Sequence, residues 1–82
     1  MIAKLYGTSG CHLCDDAERL LAQAGAALRL DWTYIDIALN DELVDRYGTR
    51  IPVLLINRHE LNWPFSLLDI HRAASSASPT QP

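Results

Sequence analysis

The chain alternates between two patterns of apolar positions, and together they predict its order of elements. Nearly continuous apolar runs, rich in β-branched and aromatic residues, indicate buried strands, whereas apolar residues three and four positions apart indicate helices. Turn-forming residues separate these segments. The predicted strands are residues 2–6, 30–37, 51–56 and 59–63, with a tight turn at Asn57-Arg58 before the last of them.

Capping residues mark the ends of three predicted helices. The first follows the turn cluster at residues 7–10 and extends for about 13 residues with apolar positions at helical spacing. The second is short, and the third opens with a capping-box pattern in which aspartate replaces the usual glutamate. The helices are predicted to begin at Cys11, Asn40 and Ser66, and the first two to end at Gly25 and Gly48.

The resulting order, β-α-β-α-β-β-α, predicts an α/β domain with a parallel βαβ unit followed by a β-hairpin. Because one helical face cannot cover both sides of a sheet, three helices are expected to flank a four-stranded mixed sheet. We place this domain at residues 1–74. Residues 75–82 are rich in serine and proline and are predicted to form a flexible C-terminal tail.

Composition and charge narrow the range of partners. The 82 residues allow one small domain, and 49% hydrophobic with 21% charged residues is typical of a soluble globular protein. A net charge of -3 provides no basic stripe, so neither nucleic acid nor an anionic membrane surface is an expected partner. Without a signal-like N-terminus or a long apolar run, we predict a cytoplasmic monomer.

The only two cysteines, Cys11 and Cys14, lie at the predicted start of the first helix. In a reducing compartment such a pair seldom forms a permanent structural disulfide. The pair is then a redox pair, two metal ligands or two inert buried residues. Positions three apart are neighbours on one helical face, so a disulfide can close between them. The free N–H groups of a first helical turn also stabilise a thiolate.

The two sulfurs are expected to differ. Cys14 falls on the apolar stripe of the helix and is predicted to face inward, whereas Cys11 sits at the edge of the loop. Cys11 is then the attacking thiol, and Cys14 resolves the mixed disulfide. Leu13 is off the stripe and is predicted to be an exposed apolar contact for a partner. His12 either favours the thiolate by its charge or is a solvated residue without a role.

Metal binding is the main chemical alternative for the pair. A zinc site needs four protein ligands, or three and a water, and the chain adds only three histidines and scattered carboxylates. Haem attachment of the c type needs histidine after the second cysteine, where Asp15 stands. We therefore predict no metal site and no tightly bound cofactor. Two alternatives stay open: an iron–sulfur cluster or zinc held between subunits by Cys11, and a redox sensor without turnover.

The segment Cys11-His-Leu-Cys14, after a first strand and at the start of a helix, resembles the thioredoxin superfamily, specifically small glutaredoxin-like proteins. The similarity spans nearly the whole chain, from Ile2 to about Ala74. It implies a thioredoxin-like fold and dithiol chemistry. Asp36, at the end of the second strand, matches an acidic residue common there in the superfamily and is predicted to be a structural cap.

A second segment, Thr49-Arg-Ile-Pro-Val53, stands where that superfamily has its cis-proline loop. The resemblance implies a cis bond between Ile51 and Pro52, which an X-Pro bond accepts at a cost of only about 0.5–1 kcal/mol. It further implies that the backbone N–H and C=O of Ile51 are free to pair with an extended peptide or with glutathione.

The glutathione site of the glutaredoxins is not matched here. Those enzymes typically carry a basic residue where this chain has Thr8, and a Gly-Gly motif that is absent from residues 61–66. Asp15-Asp16 follow the second cysteine, where a basic residue is common. Near the sulfurs only Arg50, with Arg46 as a second, is expected to offer positive charge to an anionic substrate.

The residues and the resemblance together predict a thiol–disulfide oxidoreductase that reduces protein disulfides or glutathione mixed disulfides. Its electrons are expected to come from glutathione or from a thioredoxin-reductase-like protein. Trp63 is predicted either to line the substrate groove or to pack in the core. The predicted catalytic residues are Cys11 and Cys14, and the predicted substrate-binding residues are His12, Leu13, Arg50, Ile51, Pro52 and Trp63.

Overall fold

A computed structural model of the chain describes residues 2–75 and has the predicted order of elements. Each strand and each helix arises where the apolar pattern placed it, with shifts of a few residues at the ends. The elements are β1 (Ile2–Gly7), α1 (His12–Leu28), β2 (Asp31–Asp36), a 3-10 turn (Ile37–Leu39), α2 (Asp41–Tyr47), β3 (Val53–Ile56), β4 (His59–Asn62) and α3 (Leu67–Ser75).

The four strands form one mixed sheet in the order β2-β1-β3-β4. β1 is parallel to β2 and antiparallel to β3, and β3 and β4 form the predicted hairpin. In the β1–β2 register Gly7 lies opposite Asp36, so both parallel strands end at the same edge of the sheet. This confirms the predicted α/β architecture and places the loop that carries the cysteines at that edge.

Alternate residues of β1 and β3 enter two separate apolar clusters, as the two-residue period of a strand requires. Leu5 and Leu54 belong to the cluster beneath α1 and α3, which contains most of the fully buried side chains. Tyr6 and Val53 belong to a smaller cluster closed by Tyr47 of α2. The sheet is therefore covered by helices on both faces, and α1 packs on the larger cluster through Ala17, Leu21 and Ala24.

Helix α1 is longer than predicted, because Gly25 lies within it and does not end it. A Cβ on Gly25 would lie 2.8 Å from the Leu30 carbonyl oxygen and 3.2 Å from the Trp32 ring, so glycine serves close packing here. The helix ends instead at Arg29, which adopts the left-handed conformation with φ 53°. The expectation that Gly25 stops this helix was wrong because close approach, and not capping, explains the residue.

The predicted caps of the other helices are present. Asn40 Oδ1 accepts a hydrogen bond from the Leu43 N–H at 3.2 Å, and the Ser66 and Asp69 side chains bond each other's N–H groups at 3.0 and 2.9 Å. Asp36 also acts as a cap, since its carboxylate accepts from the Ala38 N–H at 2.9 Å. These bonds satisfy N–H groups that the first helical turn leaves without partners.

Several boundaries differ from those predicted. β2 lacks the two end residues assigned to it, and β3 begins only at Val53, after the proline. Ser75 is the last residue of α3, so of the predicted tail at 75–82 only this residue belongs to the described part, and residues 76–82 lie outside it. Within residues 2–75, no helix combines the length and the apolar character that crossing a membrane requires.

The hairpin turn is held to the end of α3 by one side chain. Asn57 and Arg58 both have positive φ, 49° and 71°, as the tight turn of a hairpin demands. The Asn57 amide nitrogen donates to the carbonyl oxygens of Ala73 and Ala74, in the last turn of α3, at 3.2 and 3.0 Å. Asn57 therefore couples β3–β4 to α3.

Replacing Asn57 by alanine is expected to lower the free energy of unfolding by about 2 kcal/mol, because it removes both bonds and places a less tolerant residue at positive φ. Denaturant unfolding measures this loss. Asn57→Gly is the matched control, since glycine accepts the backbone conformation but cannot make the bonds. If Asn57→Gly were as stable as the wild type, the coupling of turn to helix would contribute nothing.

Candidate active site

The two cysteines form a disulfide at the junction between the loop after β1 and the first turn of α1. Their Cα atoms are 5.2 Å apart, within the usual range for a disulfide. The loop and the helix lie where the sequence predicted them. The turn residues before Cys11 end β1, and the apolar stripe that includes Cys14 begins with the helix. The pair is thus covalently closed in this structure.

The two sulfurs occupy different environments. Cys14 is fully buried, and Cys11 is half-buried. Cys11 is also the N-cap of α1, and its Sγ accepts a hydrogen bond from the Cys14 N–H at 3.1 Å. A free N–H at the positive end of the helix dipole therefore points at the Cys11 sulfur, as the sequence predicted for the attacking thiol.

The rest of the first turn is exposed and carries mixed charge. His12 is almost fully exposed and lies 3.6 Å from the Asp16 carboxylate, which also pairs with Arg19. Leu13 is 45% exposed, as predicted for an apolar contact beside the pair. Asp15 is exposed, and its backbone N–H donates to the Cys11 carbonyl at 3.2 Å. Of the two carboxylates in this turn, Asp16 is the one that pairs with a neighbouring arginine.

Beneath the disulfide lie Gly7 and Tyr34, neither of which the sequence marked as part of the site. A Cβ on Gly7 would lie 2.5 Å from the Tyr34 hydroxyl oxygen and 2.9 Å from Cys14 Sγ. Such contacts are shorter than real Cβ atoms make, so only glycine leaves both atoms in place. The Tyr34 hydroxyl donates a hydrogen bond to the Thr8 carbonyl at 3.0 Å.

The surroundings of Tyr34 keep its phenol neutral. Burial raises the pKa of Tyr34 above its ordinary value, and the negative charges of Glu18, Asp15 and Asp36 raise it further. Glu18 is itself held nearby, since its carboxylate accepts from the Trp32 indole N–H at 3.4 Å. The phenol is therefore a protonated donor at any physiological pH.

The Ile51–Pro52 peptide bond is cis, and a second cis bond, which the sequence did not predict, joins Trp63 to Pro64. Pro52 is fully buried. The antiparallel register that pairs Tyr6 with Val53 places Pro52 across from Gly7 at the same end of the sheet. The proline therefore borders the strand end from which the cysteine loop departs.

The backbone of Ile51 is not as free as the resemblance implied. Its N–H donates to the Tyr47 carbonyl at 3.0 Å, a bond that continues the C-terminal turn of α2. The prediction that this N–H is available to a substrate was therefore wrong. The physical reason is local, because the chain leaves α2 through a tight turn in which the Arg50 N–H also donates to Tyr47.

Arg50 is engaged by neighbours in α2 and β4. Its guanidinium lies 3.5 Å from Glu60 Oε1, donates to Asn62 Oδ1 at 3.2 Å and to the Arg46 carbonyl at 3.3 Å, and stands over the Tyr47 ring. Its charge is therefore partly neutralised by Glu60. Trp63 is half-buried, packs edge-on against Phe65 and borders the larger apolar cluster, so packing is its observed contact.

In this structure the two cysteine side chains form a disulfide. Among residues 2–75 no three cysteine, histidine or carboxylate side chains are grouped so that they could hold a metal ion. Gly7 and Tyr34 could not be identified as site residues from the sequence, because a glycine at a strand end and a tyrosine inside a strand both have ordinary structural explanations. Only the three-dimensional contact joins them to Cys14.

Comparison with known proteins places this geometry in a family. The family described as Glutaredoxin-like domain (DUF836) matches residues 3–76. The X-ray structure of the Northeast Structural Genomics target protein XcR50 from X. campestris is 38% identical with a TM-score of 0.75, covering 94% of this chain and 99% of that one. Its solution structure gives 39% identity and a TM-score of 0.73, covering 96% and 97%.

A more distant similarity concerns the fold alone. Thioredoxin 1 from Thermosipho africanus TCF52B shares 13% identity with this chain, with a TM-score of 0.69 over 93% of this chain and 92% of that one. It confirms the thioredoxin-like fold of the domain. Among curated proteins, none matches this chain.

Proposed function

This chain belongs to the glutaredoxin-like domain family (DUF836), and from that premise we propose that it is a thiol–disulfide oxidoreductase that uses Cys11 and Cys14 as its dithiol. One observation carries the proposal: the half-buried Cys11 sulfur is the N-cap of α1 and accepts the Cys14 N–H, while the Cys14 sulfur is fully buried. This is the asymmetry that a two-step exchange needs.

In the first step, the Cys11 thiolate attacks one sulfur of a substrate disulfide. A bond forms between Cys11 and that sulfur, and the other substrate sulfur leaves as a thiolate that takes up a proton. The helix N-terminus supports the Cys11 thiolate, because its N–H groups and dipole favour negative charge there. Exposed Leu13 offers apolar surface to the substrate beside the attacking sulfur.

In the second step, Cys14 loses its proton and attacks the Cys11 sulfur. The Cys11–Cys14 disulfide forms, and the bond to the substrate breaks, so two electrons have passed to the substrate. The oxidised pair is then returned to the dithiol by an external reductant, either glutathione or a reductase protein. No tightly bound cofactor is needed, since the electrons travel in the sulfur–sulfur bonds.

The charges around the pair suit a protein disulfide better than glutathione. Glutathione is anionic and requires positive charge near the sulfurs, whereas Asp15 directly follows Cys14 and acts together with Asp36 on the nearby Tyr34 hydroxyl. Arg50 is already paired with Glu60. We therefore propose protein disulfides as the main substrates, with a thioredoxin-reductase-like protein as the main electron donor. His12, Leu13, Ile51, Pro52 and Trp63 stay the proposed substrate-facing residues, with the Ile51 carbonyl as its backbone contact.

We expect reduction of insulin disulfides to run several times faster when thioredoxin reductase and NADPH supply the electrons than when glutathione and glutathione reductase do. The reason is the unfavourable field that two nearby carboxylates present to glutathione. NADPH consumption in the two coupled assays measures the ratio. A matched Asp15→Asn variant is expected to narrow the gap. Absence of insulin reduction with either donor would contradict the proposed function.

A further inference from the structure

The second step poses a problem of charge that the first does not. Cys14 must become a thiolate, yet its sulfur is fully buried and removed from bulk water. Its own N–H points at the Cys11 sulfur, so that donor favours charge on Cys11 and not on Cys14. A buried anion without a hydrogen-bond donor is costly. The geometry of the site must supply a donor from another element.

The atoms that surround Gly7 include such a donor, the hydroxyl of Tyr34. The three heavy atoms closest to where its Cβ would be are the hydroxyl oxygen and the Cζ of Tyr34 and the sulfur of Cys14. No side-chain atom of residue 7 therefore separates the phenol from the sulfur. In the disulfide form the hydroxyl proton is directed to the Thr8 carbonyl at 3.0 Å. A hydroxyl proton rotates about its C–O bond, so it is not fixed on the Thr8 carbonyl.

We propose that Tyr34 is the hydrogen-bond donor to the resolving sulfur: when the disulfide opens, its hydroxyl turns from the Thr8 carbonyl to Cys14 Sγ and supports the thiolate that attacks Cys11. This inference rests on the proposed function. It concerns a residue of β2 that the sequence pattern did not single out.

The second step conserves both protons and electrons. Cys14 gives up one proton, its sulfur bonds to Cys11 Sγ, and the substrate sulfur leaves with the bonding electron pair and takes up one proton. Tyr34 keeps its proton and is neither oxidised nor reduced. Its role is to lower the energy of the charged sulfur before the attack.

The neighbouring carboxylates make this donor more necessary. Asp15 and Glu18 of α1 and Asp36 of β2 all act on the Tyr34 hydroxyl, and their negative charge opposes a second anion beside them. The same charges keep the phenol protonated, so that it can donate. His12, whose Nε2 faces Asp16, is directed to that carboxylate and is almost fully exposed. The electric field at the Tyr34 hydroxyl, which lies close to Cys14 Sγ, is thus dominated by three carboxylates.

Reaction of the reduced protein with a substoichiometric amount of dithiobis(nitrobenzoate) separates the two steps. Attack by Cys11 releases one coloured thiolate in a phase that depends on concentration, and attack by Cys14 releases the second in a phase that does not. We expect Tyr34→Phe to slow the second phase about tenfold at neutral pH and to move its pH profile upward, as loss of one bond to a charged sulfur requires. The first phase is expected to keep its rate.

Tyr6→Phe is the matched control, because Tyr6 belongs to the apolar cluster on the other face of the sheet, and it should leave both phases unchanged. The proposal is overturned if Tyr34→Phe leaves the second phase unaltered, or slows both phases by the same factor. In either case the wild type would still reduce insulin, so the proposed function would be unaffected. A wild type with no second phase would instead refute the resolving role of Cys14, and this inference with it.

Should Tyr34→Phe fail to fold, the wild type itself provides the test. The Cζ resonance of Tyr34, followed by NMR, is expected to change when the disulfide is reduced and to change again as Cys14 titrates. A resonance that is unaffected by both would overturn the proposal.

Discussion

Cys11→Ser is expected to abolish disulfide reduction, to the level of the uncatalysed exchange, while the domain stays folded. The serine hydroxyl is not ionised at neutral pH, so the helix N-terminus has no anion to support and no nucleophile is formed. The oxidised wild type has Cys11 half-buried, and serine fills its place as N-cap with an oxygen that accepts the same N–H. Insulin reduction and far-ultraviolet circular dichroism measure the two outcomes.

Cys14→Ser is the matched control for this loss. It leaves the attacking thiol in place, so we expect turnover on protein disulfides to disappear while small glutathione mixed disulfides are still processed. The mixed disulfide of Cys11 should accumulate and be visible by mass spectrometry. If Cys11→Ser kept full activity, or if the mixed disulfide accumulated in Cys11→Ser and not in Cys14→Ser, the roles assigned to the two sulfurs would be wrong.

The asymmetry of the pair could be predicted because it depends on local periodicity. The sequence shows the apolar stripe that contains Cys14 and the turn residues that precede Cys11. In the structure Cys14 is fully buried and Cys11 is the N-cap of α1. The order of elements was equally accessible, since strands and helices here follow their period closely. Capping residues such as Asn40 located helix ends because their effect extends only three residues along the chain.

What could not be predicted depends on contacts between distant segments. Gly25 is indistinguishable in sequence from a helix-ending glycine, and only the proximity of the Leu30 carbonyl shows why a Cβ is excluded. The hydrogen bond from Ile51 to Tyr47 depends on how the chain leaves α2. Tyr34 is 20 residues from Cys14, and its role depends on the parallel register of β1 and β2.

Gly7→Ala is expected to destabilise the oxidised protein by about 2–3 kcal/mol, in the range of overpacking a core. The added Cβ would lie 2.5 Å from the Tyr34 hydroxyl and 2.9 Å from Cys14 Sγ, and neither atom can yield cheaply. The phenol is held by the Thr8 carbonyl, and the sulfur is buried and bonded to Cys11. Denaturant unfolding measures the loss, which corresponds to a fall in melting temperature of about 10–20 °C for a domain of this size.

A double-mutant cycle attributes this cost to the phenol. In a Tyr34→Phe background the closest of the three contacts is absent, so the same Gly7→Ala change should cost less there, by about 1 kcal/mol. Gly10→Ala is a further control, because nothing lies within 4 Å of its Cβ and it reports only the cost of φ +76°. Equal costs of Gly7→Ala in both backgrounds would mean that Cys14, and not Tyr34, requires glycine at this position. The phenol would then have room to move away from the sulfur, and its assignment as donor would lose its geometric basis.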